Sequence, residues 1–305
     1  MVKIQLAMNC NCFTNRWTEP QEWTRLCAEE LGVTTVQYCI DLLDPYYPWE
    51  LQKRLCEETL AAADRYAVQI KTSFGGHHSH QHYLGHPDAD VRRESERWFC
   101  RCIDQTAYLG AEGFGTCFAI MTVKDNSDPA RRASIMSDAV EAYFRLAEYA
   151  KSKGLKYLAF EPTSVPRESC ATIAETRRVL DLLKAAALPM TVCLDVGHRN
   201  LGSENPEDAD PLAWIRYFGK ESPVIHIQQT DHSASCHWPF TDSYNQKGFI
   251  RPEQIISAVK NSCGDEVLLA LEVGAKAFYP HEEQYLGMLK DSVQYWMNAL
   301  KGAGC

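Results

Sequence analysis

The chain has 305 residues, 45% of them hydrophobic and 23% charged, with 31 Lys and Arg against 40 Asp and Glu for a formal charge of −9. That composition supplies a full apolar core and excludes a fibre, a stapled mini-scaffold and a disordered tail, while the acidic balance opposes attraction to polyphosphate and argues against a nucleic-acid partner. No apolar run approaches the ~18 residues of a membrane span, and Met1-Val2-Lys3-Ile4 leads into strand-like sequence without a signal-peptide pattern, so the expectation is a cytoplasmic protein with no membrane partner.

Short β-rich runs recur along the chain: Ile4–Asn9, Thr34–Cys39, Val68–Ser73, Gly113–Ile120, Tyr157–Glu161, Met190–Asp195, Val224–Gln228 and Val267–Glu272. Between them lie stretches of helical period with start signals, among them Glu19-Pro20 opening Gln21–Leu31, Pro48 opening Trp49–Tyr66 and Asp128-Pro129 opening Ala130–Lys153. Strand then helix, repeated about eight times, predicts an α/β protein with a parallel sheet. It fits a closed (β/α)₈ barrel better than a doubly wound sheet, because the first turn, Met8-Asn9-Cys10-Asn11-Cys12-Phe13, contains no glycine. There is no G-x-x-x-x-G-K-S/T and no linker or repeat on which to cut the chain, so one barrel domain over residues 1–305 is expected. The 13 cysteines are odd in number and irregular in spacing, and Cys10-x-Cys12 and Cys100-x-Cys102 lack the two-residue gap of a zinc knuckle; mostly free thiols are expected.

Two longer loops, Gly75–Asp90 and Thr230–Gly248, follow strand C-termini, the face on which a barrel builds its site. The polar residues collect there too. The fifth run ends in Glu161, the sixth in Asp195, the seventh in Gln228 and the eighth in Glu272. Each alone reads equally well as a helix cap or a surface ion pair. Together they put three carboxylates and an amide at one mouth, where burial without compensation would cost several kcal/mol per charge. A divalent metal is the natural counterion, and hard oxygen donors favour Mn²⁺ or Mg²⁺, with Mn²⁺ the first choice and Co²⁺ or Zn²⁺ also able to bind.

Phe160-Glu161-Pro162, Leu194-Asp195-Val196-Gly197-His198, Ile225-His226-Ile227-Gln228 and Leu271-Glu272-Val273 resemble the metal-site motifs of the xylose-isomerase-like barrels, especially the D-tagatose 3-epimerase and hydroxypyruvate isomerase branch. The resemblance covers nearly the whole chain. It implies metal ligands Glu161, Asp195, Gln228 and Glu272, the two glutamates also moving the proton, with His198 of Asp-x-x-His contacting substrate oxygens. It also implies assembly as a dimer or tetramer. The strand-seven pair His226-x-Gln228 is similar to the hydroxypyruvate isomerase version, where sugar 3-epimerases have His-x-His. The family's substrate-binding Arg after strand seven is missing, and Arg167 and Arg199 are the candidate replacements, although a surface ion pair serves either as well.

A metal beside an α-hydroxy carbonyl acidifies the α-proton, and two carboxylates then suffice to remove and return it. The expected activity is therefore a metal-dependent isomerase or epimerase of a small keto sugar or sugar phosphate, passing through a cis-enediolate with Glu161 and Glu272 as the acid/base pair. The alternative is a lyase, decarboxylase or C-glycoside-cleaving enzyme using the same site; an endonuclease-IV-like phosphodiesterase and a non-catalytic sugar- or metal-binding barrel are further rivals. His77, with His78, His80, His82 and His86, follows Gly75-Gly76, and reads as a lid lining a sugar pocket, as surface, or as a second metal site. His237-Trp238-Pro239-Phe240 offers ring faces to a sugar or packs as a loop hydrophobe.

Overall fold

A computed structural model describes residues 2–81, 83–274 and 281–305, with the side chains of His77 and His78 outside the described set. Eight strands, β1 (Lys3–Asn9), β2 (Thr35–Cys39), β3 (Gln69–Phe74), β4 (Gly113–Cys117), β5 (Tyr157–Glu161), β6 (Met190–Asp195), β7 (Val224–Ile227) and β8 (Glu266–Leu271), close in sequence order into a parallel barrel. Closure is made by β1 on β8, in register from Lys3 opposite Glu266 to Met8 opposite Leu271. The helices are α1 (Pro20–Arg25), α2 (Trp49–Arg65), α3 (Ala89–Tyr108), α4 (Val123–Ser127), α5 (Pro129–Ser152), α6 (Ile173–Leu182), α7 (Pro211–Phe218), α8 (Asp242–Lys247), α9 (Pro252–Ser262) and α10 (Glu282–Gly302). This is a (β/α)₈ barrel with α4 and α8 as additions on the loops after β4 and β7. No helix among the described residues is long and apolar enough to cross a membrane.

Local chemistry explains the helix starts. Asp128 accepts hydrogen bonds from the amides of Ala130 and Arg131 with Pro129 in the first turn, and Asp88 does the same for Asp90 and Val91, so both helices open where a carboxylate meets free N–H groups. Alternation then sorts the strands. Ala7, Phe74, Ala159, Cys193, Val224, Leu268 and Ala270 form a small cluster of their own, separate from the large core of Leu6, Met8, Leu158, Phe160, Leu194, Ile225 and Leu269 beneath the helices. The first set points into the barrel and the second out to the helices. Side chains two residues on share a face, so Glu161 follows Ala159, Asp195 follows Cys193, His226 follows Val224 and Glu272 follows Ala270 onto the barrel axis.

Several boundaries differ from the sequence expectation, most by a single residue. Gln21–Leu31 is an α-helix only to Arg25 and continues as a π-helix, Leu26–Leu31, ending at Gly32 with φ 69°; buried Trp23, Leu26, Cys27 and Leu31 keep a helical spacing through both, so the wider turn leaves little trace in the pattern. The fourth run leaves the sheet at Cys117, and the buried Phe118–Met121 stretch bonds a loop instead, Met121 N donating to Arg167 O at 2.8 Å. Gln228 and Glu272 stand one residue beyond β7 and β8. There Gln229 pairs antiparallel with Trp238, which carries the chain away from the barrel ladder.

Candidate active site

The four strand-end groups meet at the mouth of the barrel. Glu161, Asp195, Gln228 and Glu272 are all buried; Glu161 and Glu272 line a cavity of about 610 Å³ with Asn11, His80, Thr163, Ser164, His198 and His237, and Asp195 and Gln228 are not part of its lining. One ligand atom each of Glu161, Asp195, His226 and Glu272 lie within 4.8 Å of one another. A cleft of about 680 Å³ between α9 and α10 is larger, but it lies on the outside of the barrel away from the strand ends. The strand-end carboxylates Glu161 and Glu272 open onto the smaller cavity.

His226, fully buried, organises the floor. Its Nδ1 is 2.9 Å from Glu161 Oε1 and 3.0 Å from Glu272 Oε2, and its Nε2 is 2.7 Å from Gln37 Oε1. Both ring nitrogens therefore face oxygen acceptors, the arrangement of an imidazolium. Burial opposes that charge, but Cys193, Glu272 and Glu161 hold its pKa well above the ordinary histidine value. Cys193 is itself pushed up to about 11 by burial, so near neutral pH the carboxylates carry this effect. Asn9 and Asn11 each donate an amide N–H to Glu272 Oε1, both at 3.4 Å.

The two glutamates are pushed in opposite directions. Burial raises the pKa of Glu161 against the opposing pull of His198 and His226. Glu272 experiences the same burial, yet His226, His237 and His198 outweigh it and lower its pKa. Their environments therefore separate the two carboxyl groups, although both are buried at the same mouth.

Gln228 presents its amide nitrogen to both oxygens of Asp195, at 3.0 and 2.9 Å, and its oxygen to the amide of His237 at 2.5 Å. A half-turn of the amide would exchange the two. Glu272 Oε2 is buried without a hydrogen-bond partner, lying close to His226 but not in hydrogen-bonding geometry. Three buried carboxylates, one with an oxygen left unpartnered, are a donor set that a divalent cation fits.

Other expected site residues divide clearly. His198 and His237 line the cavity, His198 held at a pKa of about 9 because, against burial, Asp195, Glu161 and Glu272 favour its charged form. Arg167 pairs with its neighbour Glu168 at 3.3 Å. Arg199 donates to Ala209 O and Asp231 O and lies over the Phe249 ring at 4.7 Å. Neither arginine lines the cavity; each is held by its own loop neighbours. The side chains of His77 and His78, and all of His82, lie outside the described residues, while His80 lines the cavity and His86 accepts from the Asp88 amide. Phe240 is a buried core residue and Trp238 packs on Tyr244, so neither offers a ring to this cavity. The 13 cysteines are free thiols.

Sequence reasoning missed Asn9, Gln37 and the bridging place of His226. The available signal was polarity out of place: Gln37 interrupts the apolar run Val36–Cys39, and Asn9 ends β1 on the same side as Ala7.

The sequence profile of the xylose isomerase-like TIM barrel family matches residues 27–292. The D-erythrulose 1-phosphate 3-epimerase of Brucella abortus (strain 2308) is 35% identical over 295 residues, covering 96% of this chain and 95% of that protein. A crystal structure from Rhodospirillum rubrum ATCC 11170, provisionally assigned as a xylose isomerase, superposes with a TM-score of 0.89 at 27% identity, covering 97% of this chain and 99% of the other. The D-psicose 3-epimerase of Clostridium cellulolyticum H10 shares the fold, with a TM-score of 0.70 at 16% identity over 97% of this chain and 99% of its own.

Proposed function

This chain belongs to the xylose isomerase-like TIM barrel family, and from that premise we propose that it is a divalent-metal-dependent 3-epimerase of a small ketose phosphate. The observation that carries the reading is the pair Glu161 and Glu272. The two stand three strands apart around the ring, bracket one cavity and have pKa values displaced in opposite directions.

Glu272, ionised, is placed to take the proton from C3 of a 2-keto sugar whose carbonyl and neighbouring hydroxyl lie in the cavity. The C3–H electrons form the C2–C3 double bond and the carbonyl π pair moves to the C2 oxygen, giving a cis-enediolate. Glu161, whose pKa burial raises, returns a proton to C3 from the other face as the C2 carbonyl re-forms, which inverts C3. Glu161, Asp195, Gln228 and Glu272, with Gln228 turned to present its oxygen, would hold the metal, for which Mn²⁺ suits the oxygen donors. When bound, a divalent ion supplies charge stabilisation to the two adjacent substrate oxygens. His226 sits against both carboxylates, and Asn9 and Asn11 hold Glu272 through its Oε1. His198 and His237 stand where they can donate to substrate oxygens.

The similarity to the Brucella abortus 3-epimerase of D-erythrulose 1-phosphate supports a tetrulose phosphate as the first compound to try. The test is proton exchange in D₂O followed by NMR, with Mn²⁺-loaded protein and phosphorylated and free tetruloses, pentuloses and hexuloses. Metal-dependent deuterium at C3 is expected, reduced by about 10²–10⁴-fold in Glu161→Gln and in Glu272→Gln. Deuterium at C1 alone would identify an aldose–ketose isomerase instead, and no exchange on any ketose would refute the reading.

A further inference from the structure

We infer that Gln37, on β2, is a positioning residue for the proposed 3-epimerase reaction: it fixes the rotation of the His226 ring so that Nδ1 meets Glu161 and Glu272. The kinetic consequence rests on that reading, the structural one on the hydrogen bonds. Gln37 is 1% exposed, and its Oε1 lies 2.7 Å from His226 Nε2 and accepts from Asn9 Nδ2 at 2.9 Å. A glutamine inside a barrel is costly where leucine or methionine would fill the same space, unless its amide is used.

The polarity of this contact is set by the backbone. The main-chain N–H of Asn11 donates to Asn9 Oδ1 at 2.9 Å. A main-chain N–H can only donate, so Asn9 turns its oxygen to that group and its NH₂ to Gln37, and Gln37 in turn must present its oxygen. That oxygen also faces the imidazole, so Nε2 carries a hydrogen. Turning the ring by half about Cβ–Cγ would exchange Nδ1 with Cδ2 and Nε2 with Cε1, leaving one C–H against Gln37 and another against the two carboxylates.

The glutamates do not hold the ring alone. In the proposed reaction both turn to a metal and a substrate, whereas Gln37 meets the ring at its other nitrogen and is not part of the cavity lining. Cys193 Sγ lies 3.3 Å from the same Nε2, but a thiol is a weak partner, and Asn9 Nδ2, 3.5 Å away, offers only hydrogens. Phe74, T-shaped to the ring with centroids 4.8 Å apart, limits its movement without selecting one rotation over the other. Gln37 is therefore the group that keeps Nδ1 aimed while the carboxylates work. A misaimed ring should slow proton transfer and leave substrate binding intact.

The test compares the full unaltered chain with Gln37→Met, which keeps the length and removes the acceptor oxygen, and Gln37→Glu, which keeps an acceptor oxygen, each checked by circular dichroism. Chelator-treated protein carrying nitrogen-15-labelled histidine is followed by NMR for a ring N–H that is protected from exchange with water and absent from His226→Leu. That signal is expected in the unaltered protein and in Gln37→Glu, and its loss in Gln37→Met. On the ketose phosphate that exchanges at C3, Gln37→Met should lower kcat by roughly 10–100-fold with KM within twofold, and Gln37→Glu should recover most of it. A protected N–H retained in Gln37→Met, an unchanged kcat, a change in KM alone, or no recovery in Gln37→Glu would each overturn the inference. Absence of C3 exchange on every ketose in the unaltered protein would sink the epimerase reading alone, and the ring signal would still decide whether Gln37 holds His226.

Discussion

Replacing His226 with leucine removes the positive group in contact with both Glu161 and Glu272. The ring has no exposed surface, its Nδ1 lies 2.9 Å from Glu161 Oε1 and 3.0 Å from Glu272 Oε2, and its Nε2 lies 2.7 Å from Gln37 Oε1. Taking one partner from a buried charged cluster costs about 3–5 kcal/mol, because the remaining charges stay buried without compensation. Unfolding entropy of about 2.1 cal/mol/K per residue over 305 residues gives roughly 0.64 kcal/mol/K, so the melting temperature should fall by about 5–8 °C. The assay is thermal denaturation by circular dichroism on chelator-treated protein.

The effect should depend on pH with a definite sign. His226 has a raised pKa, so its contribution is complete below the unfolded value of about 6.5 and is lost as pH rises through the folded one. Glu272 has a lowered pKa, so its share is present above about 4.3 and is lost as pH falls. The difference between wild type and His226→Leu should be widest between about pH 4.5 and 6.5 and shrink toward alkaline pH. Added Mn²⁺ gives the carboxylates another counter-charge and should narrow the gap. Equal melting temperatures at pH 5.5 without metal would refute the claim that these glutamates depend on the imidazolium.

Three further outcomes are expected. Arg199→Ala loses two donated hydrogen bonds and the stack on Phe249, so the melting temperature should drop by about 2–3 °C while KM stays within twofold; a tenfold rise in KM with unchanged stability would show instead that Arg199 reaches the substrate. Gly197→Ala would place a Cβ 2.3 Å from Gln228 Cδ, pushing the amide off Asp195, and isothermal titration should find Mn²⁺ bound at least tenfold more weakly in a folded protein. Iodoacetamide at pH 8 should label the exposed Cys305 first, whereas Cys100 and Cys263, both pushed up to about 11 by burial, hold only about one thiolate in a thousand and should lag far behind by peptide mass spectrometry.

The barrel and the position of its carboxylates were legible because both depend on local pattern. Alternation in Leu268-Leu269-Ala270-Leu271-Glu272 decides which residues face the axis, and an acidic residue at the end of an apolar run is visible without knowing any partner. What was not legible depends on contacts between distant residues. Nothing adjacent to Gln37 indicates that its oxygen receives His226, 189 positions away. The placement of the arginines was hidden for the same reason: charge and nearness to a strand end suggested Arg167 and Arg199, but the direction of a long side chain is set by its neighbours, here Glu168 for one and Ala209, Asp231 and Phe249 for the other.

The small residues beneath the site account for its depth. Ala7, Ala159, Cys193 and Ala270 fill the inner layer with little volume, and Phe74 closes on His226 with ring centroids 4.8 Å apart. A barrel packed with Leu or Ile at Ala159 and Ala270 would reach up to the level of the imidazole and leave no room for it between the glutamates. The same economy of volume lets His226 neutralise two carboxylates from below, leaving their upper faces to the cavity. The division of labour follows from that geometry: the floor supplies a fixed positive charge, and His198 and His237, which line the cavity beside the buried Asp195 and Gln228, present polar groups to whatever enters it.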